Sequence, residues 1–246
     1  MILVLALGLA IGSFLNVVIA RLPAGRSLWR PRSACPSCGA AIAWHDNIPL
    51  LSFIALRGRC RACDGQIAWR YPGVEAATGG LFLAAYLAYG PTVEFAVAAV
   101  LLAALLTLTA IDLAHQIIPD AITLPGIVVG VVASLVNRRV TWVESILGVI
   151  VGGGLFLAII LLSGGGMGGG DMKLAAMLGA FLGWKIVLMS ILIGVLVGGA
   201  YGLWLLASGR RGRKDPIPFG PFLALGGAVS LFWGERLLAW YLRPLA

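Results

Sequence analysis

Two aspartates and four cysteines are the residues of this 246-residue chain whose types and spacing can do chemistry. Asp171 directly follows a run in which six of the seven residues 164–170 are glycine, and long apolar segments flank that run. Without Cβ atoms the backbone there can bend sharply and pack closely. A carboxylate at a membrane boundary is costly unless it is paired or faces a wet cavity, which makes Asp171 a functional candidate. The competing reading is that it caps the following helix through the free amides there. Asp112 closes another apolar run. A carboxylate pair can hydrolyse a peptide when one member is ionised to activate water. The other must be protonated, to support the developing oxyanion and the departing amine. Close together, the two share a proton and titrate as a unit.

The cysteines form Cys35-Pro-Ser-Cys38 and Cys60-Arg-Ala-Cys63, separated by the 21 residues 39–59. That spacing matches a closed tetrahedral zinc site, with glycine and proline nearby to turn two thiolates toward one ion. Four thiolates leave no open position, so the expected role is structural: the metal folds a loop too small to build its own core. Two disulfides are the alternative, disfavoured on a reducing side of the membrane. Neither His45 nor His115 completes the set.

The elements that must position these groups are membrane helices. Hydrophobic residues make up 60% of the chain and charged ones 11%, with a mean hydropathy of +0.99. Apolar runs near spanning length, ~20 residues, cover 2–20, 73–89, 92–111, 121–136, 142–162, 186–207 and 219–241, with a shorter one at 172–184. The expected fold is an all-α polytopic membrane protein of about eight transmembrane helices with a cytoplasmic zinc-binding loop. The break at Gly183, Trp184 and Lys185 allows a kink or re-entrant feature instead of two helices. The expected divisions are 1–20, a first helix retained rather than cleaved, 21–72, the cysteine loop, and 73–246, the transmembrane core.

The net charge of +8 would suit nucleic acid, but the basic residues lie beside membrane spans, so topology explains them and no nucleic acid is expected. Loop 21–72 carries eight arginines, and Arg210, Arg211, Arg213 and Lys214 follow the seventh helix. Eight helices put both clusters on the cytoplasmic side and the N-terminus outside. They also bring Asp112 and Asp171 to one membrane depth at the cytoplasmic face.

Other polar residues have two readings each. Asp120 follows Pro119 with Thr123 three residues on, a cap arrangement. Glu75 and Asn16 face apolar neighbours, as buried hydrogen-bonding groups or as part of a methyl-donor site. Lys173 either steadies Asp171 or the substrate backbone, or snorkels. Gly168, Gly169 and Gly170 are expected to act as a hinge and to let an extended substrate approach Asp171. Glycines within the helices let helices pack closely.

The ordered motifs resemble the type IV prepilin peptidases. They are G-S-F-L-N-V-V-I-A-R-L-P at 12–23, the two cysteine pairs around N-I-P-L-L-S at 47–52, and R-Y-P-G-V-E at 70–75. I-D-L at 111–113, P-D-A-I-T at 119–123, G-G-G-D-M-K-L at 168–174 and P-F-G-P at 218–221 continue the order. Met172 departs from the aromatic common there, and Gly169 from a bulkier residue. The resemblance implies a GxGD-type membrane aspartic protease in the bacterial inner membrane. It would remove the basic leader of prepilins or pseudopilins next to a glycine, with Asp112 and Asp171 catalytic. It also implies N-methylation of the new terminus with S-adenosylmethionine, in a site that no dinucleotide-type glycine fingerprint marks. Membrane lipid is the other expected partner. The rival reading is a proton-coupled transporter with both aspartates as ion sites.

Overall fold

A computed structural model describes residues 1–30, 32–162, 168–209 and 217–242. The regular elements among them are helical, apart from two isolated bridges: α1 (Ile2–Arg21), a 3-10 turn (Trp44–Asn47), α2 (Leu51–Ala55), α3 (Arg70–Tyr89), α4 (Val93–His115), α5 (Asp120–Ala133), α6 (Trp142–Leu162), α7 (Gly169–Ala207) and α8 (Gly220–Leu242). The basic cluster at 210, 211, 213 and 214 and the first part of the glycine run, 163–167, lie outside the described residues.

Each expected apolar run is helical, but the runs differ in capacity to span. Five helices, α1, α4, α6, α7 and α8, are long and apolar enough to cross a bilayer, whereas α5 has only 14 residues. The two runs at 172–184 and 186–207 lie in one 39-residue element broken at a single residue, Gly183, with φ 77° and ψ 168°. Unbroken, 39 residues would extend ~58 Å, about twice the hydrocarbon thickness. Only glycine adopts that φ/ψ region without strain, so Gly183 is where the element divides.

The chain forms two compact units, Met1–Pro91 and Thr92–Ala246. This differs from the expected boundary after residue 72, because α3 packs on α1. The packing is backbone-close: a Cβ on Gly8 would lie 2.9 Å from the Gly79 Cα, and one on Gly12 2.7 Å from the Glu75 Cα. Any side chain at these positions would force the helices apart.

In the second unit, α7 packs against α5, α6 and α8. Gly148 of α6 sits on the backbone of Gly179, Gly130 of α5 on Ala180, and Gly194 on the α8 backbone at Phe222 and Leu223. The buried Ser145 hydroxyl donates to the Ala180 carbonyl at 2.7 Å, satisfying a polar group between apolar helices. Leu101, Leu105 and Leu108 of α4, Phe156 of α6, and Leu174, Met177 and Leu178 of α7 fill the core with Leu223. Thr141 and Glu144 form a capping box: the Thr141 hydroxyl accepts the Glu144 amide and the Glu144 carboxylate accepts the Thr141 amide. That interaction fixes where α6 begins.

Candidate active site and metal centre

Asp112 lies in the last turn of α4, which stops at Gln116 in the left-handed region, its amide bonded to the Asp112 carbonyl. The linker then runs through Ile118 to α5. The Asp112 side chain is only 5% exposed, and its Oδ2 accepts the Gly220 backbone amide at 3.0 Å. Gly220 is the first residue of α8, so its amide is one that the helix itself leaves unpaired. A Cβ on Gly220 would come within 2.6 Å of Asp112 Oδ2.

Asp171 is the third residue of α7, after Gly168 at the cap position and Gly169 and Gly170 in the first turn. It does not cap that helix: Oδ1 is buried and has no hydrogen-bond partner. This corrects the capping alternative. An orphaned carboxylate oxygen is costly, and it is held in place by the packing around it. Asp112 and Asp171, 59 positions apart in sequence, are both carried to the neighbourhood of Ile118. Ile118 fills the space between the glycines. A Cβ on Gly170 would meet the Ile118 Cβ at 2.9 Å, and one on Gly220 the Ile118 Cδ1 at 3.1 Å. The C-terminal end of α4 and the N-terminal ends of α5, α7 and α8 therefore converge.

Two further expectations change here. Asp120 is the first residue of α5 and makes no capping bond; it accepts both of its contacts from Lys173 Nζ, at 2.7 Å. Lys173 is thus committed to Asp120, tying the head of α5 to that of α7, and does not steady Asp171. Sequence reasoning gave Gly220 and Ile118 no role. The signal for Gly220 was available in P-F-G-P: proline in a first turn marks a helix start, and glycine beside it marks close approach.

In the first unit the four cysteine sulfurs lie within 4.8 Å of one another, and Cys35 and Cys63 are 3.9 Å apart. All four are free thiols, so the disulfide alternative is not what is formed. A tetrahedral zinc with ~2.3 Å bonds requires sulfurs ~3.8 Å apart, which this arrangement approaches. The two knuckles repeat each other. Cys35 donates its amide to the Ala40 carbonyl and Cys60 to the Gly65 carbonyl; Gly39 and Asp64, each directly after a second cysteine, both have positive φ. Backbone amides of Cys38 and then Ser37 lower the Cys35 thiol to about 6. Cys63 is pushed up to about 12: the Gly65 amide opposes this, but Cys38, burial and the remaining thiols outweigh it. Four such groups become thiolates together only around a cation, and the donor set fits zinc. Arg61 of the second knuckle forms a bidentate pair with Asp46 of the 3-10 turn, at 2.6 and 2.8 Å.

Asn16 and Glu75 are buried in this unit. Glu75 Oε2 accepts the Leu50 amide at 2.9 Å, where Leu50 has φ 57°. Asn16 Nδ2 donates to the Tyr71 and Gly12 carbonyls, while its Oδ1 has no partner. Asn16 thus ties α1 to α3, and Glu75 ties α3 to the loop at Leu50.

Comparison with known proteins matches these two units to two family profiles. One, described as the bacterial peptidase A24 N-terminal domain, matches residues 6–89, and the other, the type IV leader peptidase family, matches residues 99–203. A prepilin leader peptidase/N-methyltransferase of Burkholderia pseudomallei is 42% identical over 94% of this chain and 84% of its own length. Proteins of that name from Aeromonas hydrophila, 39% identical over 98% and 93%, and Pseudomonas aeruginosa, 38% over 96% and 91%, are also similar. No solved structure matches the chain significantly.

Proposed function

Because the chain belongs to the type IV leader peptidase family, we propose that it is a membrane aspartic endopeptidase that removes the leader of prepilins or pseudopilins. The observation that carries this is the convergence of the helix ends that bear Asp112 and Asp171, one aspartate hydrogen-bonded and the other with a bare oxygen. Family membership sets aside the transporter reading.

Asp112, with Gly220 donating to Oδ2, is suited to stay a carboxylate and take the proton of an attacking water. Asp171, whose Oδ1 has no protein donor, is suited to hold the shared proton toward the substrate carbonyl. Water oxygen bonds to the carbonyl carbon, and the carbonyl oxygen is supported by the Asp171 proton. The proton taken by Asp112 then passes to the departing amine as the C–N bond breaks. Gly168 and Gly169 bring exposed backbone without side chains next to Asp171, which supports the reading that an extended substrate lies there.

We place Cys35, Cys38, Cys60 and Cys63 around a structural zinc. N-methylation of the new terminus is the second proposed activity; S-adenosylmethionine supplies the methyl group to the free amine. Asn16 Oδ1, the acceptor buried without a donor in the first unit, is proposed to meet the methyl donor, with Glu75 supporting its surroundings. The proposed setting is the bacterial inner membrane, with eight crossings, loop 21–72 and the aspartates at the cytoplasmic face, the N-terminus outside, and lipid around the helices.

The test is mass spectrometry of a leader-bearing prepilin incubated with the purified protein. A product shortened by the leader, then heavier by a methyl group when S-adenosylmethionine is added, supports both activities. Asp112→Ala or Asp171→Ala should abolish shortening with membrane insertion intact. Robust cleavage by either variant would overturn the assignment.

A further inference from the structure

The cysteine module has an unusual surface for a domain in water. Trp29, Trp44 and Trp69 are 83%, 82% and 79% exposed, and Leu51 and Ile54 of α2 are exposed as well. Soluble surfaces seldom leave so many large apolar groups uncovered close together in sequence. The arginines Arg30, Arg32, Arg57 and Arg59 are also exposed, and none of them meets a carboxylate among the described residues. The acidic residues of 21–72 are Asp46, already paired with Arg61, and Asp64.

The module also reaches down the side of α1. Asn47 and Pro49 share a cleft of about 310 Å³ with Ala10, Ser13, Phe14 and Val17 of α1. Those α1 residues lie four to eleven positions before Arg21, or roughly 6–16 Å below the end of the helix at 1.5 Å per residue. Trp29 packs its ring 6.4 Å from that of Phe14, which confirms the same descent from the other side of the loop. Trp69 stands immediately before α3, against Phe53 at 5.0 Å. Irregular backbone at such depth must have its polar groups satisfied. Here the Leu50 amide is taken by Glu75, and the Ser52 hydroxyl donates to the Ile48 and His45 carbonyls.

We propose that the cysteine module is seated in the headgroup layer of the bilayer, with Trp29, Trp69, Leu51 and Ile54 against lipid and its unpaired arginines on anionic phosphate. Aromatic side chains favour that layer because one ring serves an apolar and a wet side. Arginine near an anionic surface adds attraction that falls off within a Debye length. A zinc core then makes physical sense: the module lies at the interface as a rigid body, with its apolar residues turned outward to lipid instead of inward to a core. The inference rests on the membrane setting proposed above and is independent of the peptidase chemistry.

The test uses the zinc-loaded full chain in lipid nanodiscs that contain anionic and zwitterionic lipid. Tryptophan emission is quenched either by lipids spin-labelled near the carbonyl region or by aqueous acrylamide, in the wild type and in W29F/W69F. The emission removed by the two substitutions should be quenched by the labelled lipid at least twofold more strongly than by acrylamide. The reverse ratio, or protection from acrylamide that requires added prepilin, overturns the proposal, the latter assigning the face to a protein partner. R57Q/R59Q should retain less than half as much anionic lipid on purification as the wild type; unchanged retention overturns the phosphate contacts. Leader cleavage and zinc content are measured on the same samples, so loss of the peptidase reading and loss of this one are separately visible.

Discussion

Replacing Gly220 by alanine puts a methyl group 2.6 Å from Asp112 Oδ2 and 3.1 Å from the Ile118 Cδ1. Carbon and oxygen without a covalent bond ordinarily stay ~3.3 Å or more apart, so the carboxylate must retreat by ~0.7 Å or rotate. It has little room, being 5% exposed, and moving breaks the 3.0 Å bond from the Gly220 amide. A hydrogen bond to a charged group contributes about 1.5–3 kcal/mol, and a displacement near 1 Å in a reacting group lowers rates by roughly 10²-fold. Both routes give a fall in kcat of about 10²-fold. Substrate contacts elsewhere are untouched, so KM should stay within about threefold, the pattern of an interaction made at the reacting centre.

The assay is steady-state cleavage of a leader-bearing prepilin in detergent or nanodiscs, with zinc content and helicity measured alongside. Gly199→Ala serves as the control, since a Cβ there meets nothing within 4 Å. A second comparison separates crowding of Ile118 from crowding of the carboxylate. Ile118→Gly, which removes the Cβ that a Gly170→Ala methyl meets at 2.9 Å, should relieve much of the defect of Gly170→Ala but little of the defect of Gly220→Ala. Wild-type kcat in Gly220→Ala would refute the reasoning, as would a loss confined to KM.

Further outcomes follow from the other contacts. Lys173→Met and Asp120→Asn should each cost about 0.2–1 kcal/mol in stability, as expected of a partly exposed pair, and be non-additive together; a cleavage defect ten times larger in Lys173→Met would reveal a substrate role. Glu75→Leu leaves the half-buried Leu50 amide without an acceptor and should destabilise the first unit by about 1–3 kcal/mol, whereas Glu75→Gln should retain most of the stability in a thermal melt. One zinc per chain is expected by elemental analysis, and chelation should open all four thiols to alkylation while far-UV helicity stays nearly constant; thiols that stay protected without metal would refute a metal-held loop. Hydrogen bonding to Arg61, foremost, holds the Asp46 carboxyl below its ordinary value. That contribution is complete above the range of a free aspartate, ~3.9, and is lost as pH falls through the lowered value. Asp46→Asn should therefore speed zinc release to a chelator equally at pH 5 and pH 8, and a difference that changes across that window would implicate His45, 3.8 Å from Asp46, instead.

Much of this was legible because cost is visible locally. A carboxylate next to glycines in an apolar chain, and thiols in two closely spaced pairs, stand out before any partner is known. Gly183 was legible too, since glycine beside tryptophan and lysine interrupts an apolar run. What sequence could not supply was competition between distant groups. Asp120 has the local signature of a cap, but Lys173, 53 residues later, takes both of its oxygens. Pro119 leads the helix from a position that lacks a side-chain acceptor, so the backbone amides there gain no cap bond from either residue. Asn16 and Glu75 were recognisable as buried polar groups, but their partners were not: Asn16 bonds carbonyls of α1 and α3, and Glu75 an amide on a loop turn whose place no local signal gives. The expected boundary after residue 72 differs from the compact units for a similar reason: α3 reads as one more span, and only its close glycine contacts with α1 reveal which unit it joins.

The positions of the two aspartates explain why α8 begins with glycine. Asp171 lies in the first turn of α7, where the unpaired amides and the positive end of the helix dipole favour negative charge. Asp112 has the opposite placement, in the last turn of α4, where the dipole opposes a carboxylate. In the proposed dyad Asp112 carries the charge, so something must offset the dipole at that end of α4. The start of α8 does this by directing the Gly220 amide at Asp112, and it can do so only if that residue lacks a Cβ. Pro221 next to it suits the first turn of a helix, where its missing amide is not required. The P-F-G-P element is therefore an electrostatic counterweight to the end of α4. It follows that moving the charge preference of Asp112 needs no change to either aspartate: loss of the Gly220 contact alone should uncouple the pair.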